Sequence, residues 1–390
     1  MNENVLKPQI RFKGFTDAWE QRKLGDIFEF ERPDKYMIKD DHYEETGIPV
    51  LTANKAFILG YKNETGAYSK GDCIIFDDFT LDSKYVDFPY KINSSVIKIL
   101  TSKDNSNLKF DYYLLNQAKI LQQGHARHYI SVVQPTIVNV PKKCESNKIE
   151  KLFTNLDSLI TLHQRKYEGL QSLKKGLLEK MFPTENENVP KIRFKGFTDA
   201  WEQRKFGDIG KTFTGLSGKT SNDFGHGEAK FLPYLNIFNN PIADVSFLES
   251  TEIDKSQNEI EYGDVFFTTS SETPDEVGMS SVWIGNGGNI YLNSFCFGFR
   301  PSIDFNPYYF GYLLRSDTFR NPVTILAQGI SRFNISKNKV MEIEIPLPKK
   351  EEQEKIGQLF YRLDSLITLH QRECEKLQNL KKALLEKMFC

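Results

Sequence analysis

One eighteen-residue stretch occurs twice in this chain. Residues 10–27 read IRFKGFTDAWEQRKLGDI and residues 192–209 read IRFKGFTDAWEQRKFGDI, with Leu24 against Phe206 as the one difference. LDSLITLHQR recurs at 156–165 and 363–372, and LLEKMF at 177–182 and 384–389. The first pair lies 182 positions apart and the other two 207, so the second middle is longer by 25 residues. Each half therefore opens and closes on shared segments. Such a chain folds as two copies of one unit, with the shared segments in equivalent places.

The middles keep a faint common skeleton. GDCIIFDD (71–78) parallels GDVFFTTS (263–270), and NSSVIKIL (93–100) parallels NSFCFGFR (293–300). DYYLL (111–115) falls where PYYFGYLL (307–314) falls, and PKK closes both middles at 141–143 and 348–350. GHARHYIS (124–131) and GISRFNIS (329–336) share the pattern G-x-x-R-x-x-I-S. Short runs rich in Val, Ile and Phe, separated by Gly, Asn and Asp, predict a mixed sheet with a few short helices.

The shared ends predict long helices. Residues 149–181 contain no Pro and two Gly, and residues 353–388 no Pro and one Gly. Spacing of four and three runs through Leu152, Leu156, Leu159, His163, Lys166, Leu170, Leu173 and Leu177. The second copy runs through Leu359, Leu363, Leu366, His370, Glu373, Leu377, Leu380 and Leu384. This reads as a coiled-coil seam. In an antiparallel pair the polar centres meet, and His163, Lys166, His370 and Glu373 either set the register or splay to solvent at a loose crossing. The expected fold is α+β: two mixed-sheet domains separated and joined by two long antiparallel coiled-coil helices, a pseudo-twofold repeat. The domains are 1–145 and 184–350, the helical regions 146–183 and 351–390, and Pro183 and Pro190 bracket the polar break TENENV.

Composition narrows the class. Hydrophobic residues at 39% and charged residues at 26% describe a globular chain. No apolar run reaches the eighteen residues or so of a membrane span, and MNENVLKPQIRFKG carries no apolar signal core. Five scattered cysteines without a CxxC pair point to free thiols and the cytoplasm. A net charge of −1 counts mildly against a simple nucleic-acid binder.

Several motifs fail on inspection. GLSGKT (215–220) lacks the earlier Gly of a phosphate-binding loop, since that place holds Phe213. NPYYF (306–310) lacks the second Pro of the adenine-methyltransferase motif, and GNGGN (285–289) reads as a hairpin turn. Asn306 and Asp111 read as helix caps. The six histidines form no metal-ligand spacing.

Two globular units held by rigid helices make a ruler. A helix of about 33 residues is roughly 50 Å long, or about 15 base pairs. Two similar sheets with unlike loops suit two unlike half-sites on one duplex, and identical segments suit two copies of one protein partner. The shared arginines, Arg127 and Arg332, suit a phosphate or a common guanine, or else hold a carboxylate of the fold. Their divergent neighbours suit base readout: His125, His128 and Tyr129 in one copy, Ser331 and Asn334 in the other. Further candidates are Thr52, Asn54, Lys55, Asp78 and Thr80, and in the second half Lys219, Thr220, Ser221, Asn222, Ser270 and Ser271. Phe15, Trp19, Phe197 and Trp201 are either docking anchors for the partner or core closed against the long helix.

The doubled G-F-T-D-A-W-E-Q-R-K, P-K-K and L-D-S-L-I-T-L-H-Q-R segments carry a resemblance that covers essentially the whole chain. On them the chain resembles the specificity subunit of a type I restriction–modification system. The resemblance implies a non-catalytic DNA reader in which two target-recognition domains alternate with two conserved helical regions. It implies two methyltransferase subunits, carrying S-adenosylmethionine and methylating adenine, and restriction subunits using ATP and Mg, with no cofactor or metal in this chain and no membrane contact. One departure stands out: CESNKIE (144–150) replaces the acidic entry EEQEKI (351–356), so the first helix is expected to start differently. Two other classes stay open: a coiled-coil scaffold without a DNA role, and a self-contained methyltransferase or nucleoside triphosphatase.

Overall fold

The computed structural model describes residues 7–54, 56–103, 107–122, 127–184 and 187–390. The chain forms two compact units. One joins the residues up to His163 to Arg372–Cys390, and the other is Gln164–Gln371. Each unit therefore contains a piece of both long helices.

In the first unit β1 (Glu20–Lys23) pairs antiparallel with β9 (Ile137–Val140), and one turn, α1 (Leu24–Ile27), leads into β2 (Phe28–Glu31). The main sheet has the order β2-β8-β5-β6, with β5 at Cys73–Asp77, β6 at Ser83–Val86 and β8 at Ile97–Ser102. A smaller sheet has the order β4-β3-β7, from β3 (Ile48–Leu51), β4 (Ile58–Lys62) and β7 (Lys91–Ile92), with β3 and β7 parallel. All five residues of β5 are buried, because the main sheet is covered on both faces. Ile74, Phe76 and Leu100 point into a core with Trp19, α2 (Leu108–Gln117) and the long helices. Cys73, Ile75, Ile97 and Ile99 point the other way, onto Leu51, Tyr68, Tyr90 and Ile92.

The second unit repeats this plan. β10 (Glu202–Lys205) pairs with β20 (Glu344–Leu347). The main sheet is β11-β18-β14-β16, from β11 (Gly210–Thr214), β14 (Val265–Thr268), β16 (Ser280–Val282) and β18 (Cys296–Pro301). The smaller sheet is β13-β12-β17, from β12 (Phe224–Leu232), β13 (Glu249–Thr251) and β17 (Ile290–Leu292), with β12 and β17 parallel. Its additions are α4 (Tyr234–Asn239), the short pair β15 (Ser270–Ser271) and β19 (Phe333–Asn334), and α6 (Asp317–Ile325), while α7 (Lys337–Met341) stands where the first unit has the helical turn Tyr129–Val133. α5 (Pro307–Leu313) stands where α2 stands in the first unit. Asn107 and Asn306 cap these two helices by accepting from Phe110 N and Tyr309 N. Asn306 is the cap expected; in the first copy Asn107 replaces Asp111, whose buried carboxylate instead accepts from Ser102 Oγ.

The long helices are α3 (Lys143–Lys180, 38 residues) and α8 (Lys350–Met388, 39 residues). Within the first unit Asp157 meets Lys381 at 2.5 Å, and Cys374 Sγ lies 4.0 Å from Ile160 O. Within the second, Lys174 meets Asp364 at 2.6 Å. Rising numbers on one helix meet falling numbers on the other, so the pieces are antiparallel in each unit. Among the described residues no helix is long and apolar enough to cross a membrane.

The seam differs from the predicted one. Ile149, Phe153, Leu156, Ile160, His163, Tyr167, Leu170, Lys174, Leu177 and Met181 are all buried or half-buried. So are their counterparts 207 positions on, from Ile356 and Phe360 to Met388. Leu159, Leu173, Leu366 and Leu380 are 43–50% exposed. They lie one residue, about 100° of helix rotation, from the seam. Counting leucines chose the wrong neighbour because the other seam position is filled by Phe, Ile, Tyr, Lys and Cys. The polar centre of the seam shifts with it. Lys166 is exposed and Glu373 pairs with Lys376 on its own helix, while His163 and His370 stay half-buried in the seam. The charge pairs between helices are Asp157–Lys381 and Lys174–Asp364.

This seam predicts unequal costs. Phe153→Ala or Phe360→Ala should cost about 3–5 kcal/mol in chemical unfolding. Leu159→Lys or Leu366→Lys should stay within about 0.5 kcal/mol. Similar losses at all four positions would restore the leucine seam.

Candidate nucleic-acid interface

The repeated opening stretch is built around one buried carboxylate in each unit. Glu145 accepts from Arg11 Nε at 2.8 Å, Arg11 Nη2 at 2.7 Å and Trp19 Nε1 at 3.1 Å. Glu352 accepts from Arg193 Nε at 2.6 Å, Arg193 Nη2 at 2.8 Å and Trp201 Nε1 at 3.2 Å. Both carboxylates are 1% exposed and sit in the first turn of a long helix, where negative charge also suits the helix dipole. Asp17–Lys142 and Asp199–Lys349 repeat outside this core, as do Lys148 over Phe15 and Lys355 over Phe197. The first helix thus starts as the second does, Glu145 doing the work of Glu352 despite the unlike sequence around it.

Trp19 and Trp201 are consequently core, each 3% exposed, and are corrected as docking anchors. Each ring meets the end of the other long helix edge-on: Trp19 against Phe389 at 6.1 Å, Trp201 against Phe182 at 6.4 Å. Phe15 and Phe197 are half-buried beneath a lysine of the same helix start. A second repeated constellation follows. Tyr113 Oη donates to Asp157 and Tyr312 Oη to Asp364, and Lys381 and Lys174 lie over those tyrosine rings. Domain helix and both long helices are joined at one point in each unit.

The strand-end loops are where the units differ. In the first unit Asp78 is buried, pairs with Lys98 at 3.1 Å and accepts from Tyr129 N at 2.6 Å. Its carbonyl accepts from His128 N at 2.9 Å. Tyr129 packs its ring on Phe30 and Phe76. Asp78, His128 and Tyr129 are therefore not base readers but the footing of the loop that carries exposed Arg127. Thr52 is buried as well, beside a backbone turn from its own N–H to Phe57 O. Asn54 and Thr80 are exposed, as predicted sites should be. Lys55 and His125 lie outside the described residues. Thr80 follows an Asx turn in which Asp77 Oδ1 accepts from Phe79 N and Thr80 N.

In the second unit Thr220 and Asp223 close a reciprocal capping box, leaving Ser221 and Asn222 exposed between them. Lys219 is half-buried and held by Asp254 at 2.8 Å, so its charge is already matched inside the unit. Ser271 is also corrected: it is buried, with Oγ on Glu276. Ser270 is half-buried and pairs across a two-residue ladder with Asn334. Ser331, Arg332 and Asn334 are exposed on one loop and strand. The structure brings Ser270, Arg332 and Asn334 to one edge, beside Tyr234, whose hydroxyl donates to Ser270 O. Tyr234 also feels the Arg332 charge, which counters the upward push of burial on its phenol. Tyr234 was missed because it lies in no motif shared by both halves, and the exposed Phe295 beside Thr269 because an apolar residue in the strand-like run NSFCFGFR signals core rather than surface.

His226 ties this polar loop down. Nδ1 lies 3.0 Å from Glu252 Oε1 and Nε2 lies 2.8 Å from Asn222 O. Two acceptors require two N–H groups, which is the imidazolium. The Asn222 carbonyl and then Glu252 raise its pKa. Among the described residues no group of three or more His, Cys, Asp and Glu is placed to hold a metal.

Comparison with known proteins adds the following. The family model for the type I restriction modification DNA specificity domain matches twice, over residues 16–172 and 198–379. The chain is 44% identical over 137 residues to the EcoR124I/EcoR124II specificity subunit of Escherichia coli, a match covering 33% of each chain. It is 21% identical over 395 residues to the MjaVIII specificity subunit of Methanocaldococcus jannaschii, covering 95% of this chain and 91% of that one. Among solved structures, the S subunit of a type I restriction-modification system from M. genitalium aligns with a TM-score of 0.60 at 14% identity, covering 98% and 99% of the two chains. A chain from a study of type I R-M complex assembly and conformational transition aligns at 0.50, with 17% identity and coverage of 98% and 99%. At these identities the likeness is one of fold.

The His226 geometry predicts a pH dependence. With its pKa raised, the tie to Asn222 and Glu252 is complete below the unfolded value of about 6.5 and is lost as pH rises through the folded value. An NMR titration should place the His226 midpoint above about 6.5, and Glu252→Gln should lower it. A midpoint unmoved by Glu252→Gln would contradict the pairing.

Proposed function

The chain belongs to the type I restriction modification DNA specificity family as a non-catalytic specificity subunit, and on that premise we propose that it reads a bipartite duplex target. One observation carries the reading. The two units share topology, helix entry and helix seam, and diverge at the loops on their strand ends. A common frame with unlike tips suits two unlike half-sites. In the first unit the tips offer Asn54, Thr80 and Arg127. In the second they offer Thr220, Ser221, Asn222, Ser270, Ser331, Arg332 and Asn334. Arginine suits phosphate or guanine, and asparagine suits the adenine edge.

The partner surface follows from the corrected seam. Leu159, Leu162 and Leu380 in the first unit, and Leu366, Leu369 and Leu173 in the second, are 43–50% exposed at equivalent positions. Two equal apolar patches suit two copies of one subunit. We assign them to two methyltransferase subunits, through which restriction subunits join. S-adenosylmethionine, ATP and Mg belong to those partners, and the assembly works in the cytoplasm.

Three experiments test this. Co-expression with the methyltransferase subunit in an unmethylated host should give methylated adenines in a split motif, two short blocks around a constant gap. Exchanging residues 10–143 for another such domain should change one block alone. A complex that binds S-adenosylmethionine yet modifies nothing would favour a scaffold. Separately, Leu366→Glu with Leu369→Glu should remove one of two methyltransferase copies in native mass spectrometry. Retention of both copies would overturn the patch assignment.

A further inference from the structure

We propose that Phe295 is a base-reading residue of the second unit, packing its ring on the C5-methyl of a thymine in the half-site that unit reads; this rests on the DNA-reading function above. Phe295 is 67% exposed, the barest aromatic ring among the described residues. An exposed apolar side chain needs no purpose by itself. What sets this one apart is its mounting. Its carbonyl accepts from both Thr269 N (3.1 Å) and Thr269 Oγ1 (2.8 Å). Its N–H donates to Asn293 Oδ1 at 2.9 Å, and Asn293, 5% exposed, donates in turn to Leu232 O at 2.9 Å. The ring stands on backbone fixed by three hydrogen bonds to two residues, so little order is lost when it meets a surface.

Its neighbours are polar. Thr269 O accepts from Ile335 N, next to Asn334, and Asn334 pairs with Ser270. One edge thus carries an aromatic ring, hydroxyls, an amide and, on the same loop, the Arg332 guanidinium. A dry protein contact surrounds its anchor with apolar groups. This mixture matches the floor of a major groove, where each base pair shows donors and acceptors and thymine adds a methyl.

The other copy shows that the ring is a choice of this unit. There Asp78 N donates to Val96 O, the bond equivalent to Thr269 N to Phe295 O, and the side chain presented is a half-buried valine. The same turn is built in both units and only the second puts a ring on it. The difference falls at a tip, where the half-sites are expected to differ.

The test uses the complex with the methyltransferase subunit and a duplex carrying the mapped motif. Each thymine of the second half-site is replaced in turn by deoxyuridine, which removes the methyl alone, and binding is read by fluorescence anisotropy. One replacement should weaken the wild type roughly fourfold, the worth of one buried methyl. It should leave Phe295→Ala unaffected, and Phe295→Ala should relax that position in the methylation map while the other half-site stays unchanged. A second half-site without thymine, silence at every deoxyuridine, or equal loss in wild type and variant would overturn the assignment. Failure of Phe295→Ala to hold the methyltransferase subunit would overturn it in favour of a protein contact. A wild-type complex without a split motif would instead sink the DNA-reading function itself.

Discussion

Each unit depends on a carboxylate that no water reaches. Glu145 and Glu352 are held by a forked guanidinium and an indole N–H. A buried charge so matched fixes geometry, because taking away either partner strands the other at a cost of about 3–5 kcal/mol. The carboxylate comes from the start of a long helix, and its partners come from the repeated opening stretch. Helix and domain therefore cannot adopt independent orientations. The rings of Phe389 and Phe182, just past the end of the other helix, close the same cluster. The three duplicated segments are duplicated together because they meet.

This explains what could be read in advance. The repeat, the two long helices and the mixed sheets are visible because identity, absence of proline and strand-length apolar runs are local signals. The helix phase was not legible. Apolar side chains at neighbouring positions, Leu152 with Phe153 and Leu159 with Ile160, leave the seam ambiguous by one residue. Burial against the sheet then decides it. The role of Glu145 was equally hidden, since a lone Glu in CESNKIE gives no hint that Arg11 and Trp19 converge on it from 126 or more positions away.

The candidate surface was only partly legible. Within the G-x-x-R-x-x-I-S elements Arg127, Arg332 and Asn334 are exposed, as surface candidates must be. Polar identity did not separate tips from footings. Asp78 and His128 are as polar as any reader, yet they supply the hydrogen bonds that a buried turn needs. Lys219 shows the same limit, being matched by Asp254.

The make-up of the units also orders events at the ribosome. The second unit is one unbroken stretch, Gln164–Gln371, and is complete once that stretch has emerged. The first also needs Arg372–Cys390, made after the whole of the second unit, where Met388 enters its core and Phe389 covers Trp19. The half of the protein synthesised first is thus the half that finishes folding last. A stop codon placed just after Gln371 would strip the core of the amino-terminal unit and spare the one beside it in the message.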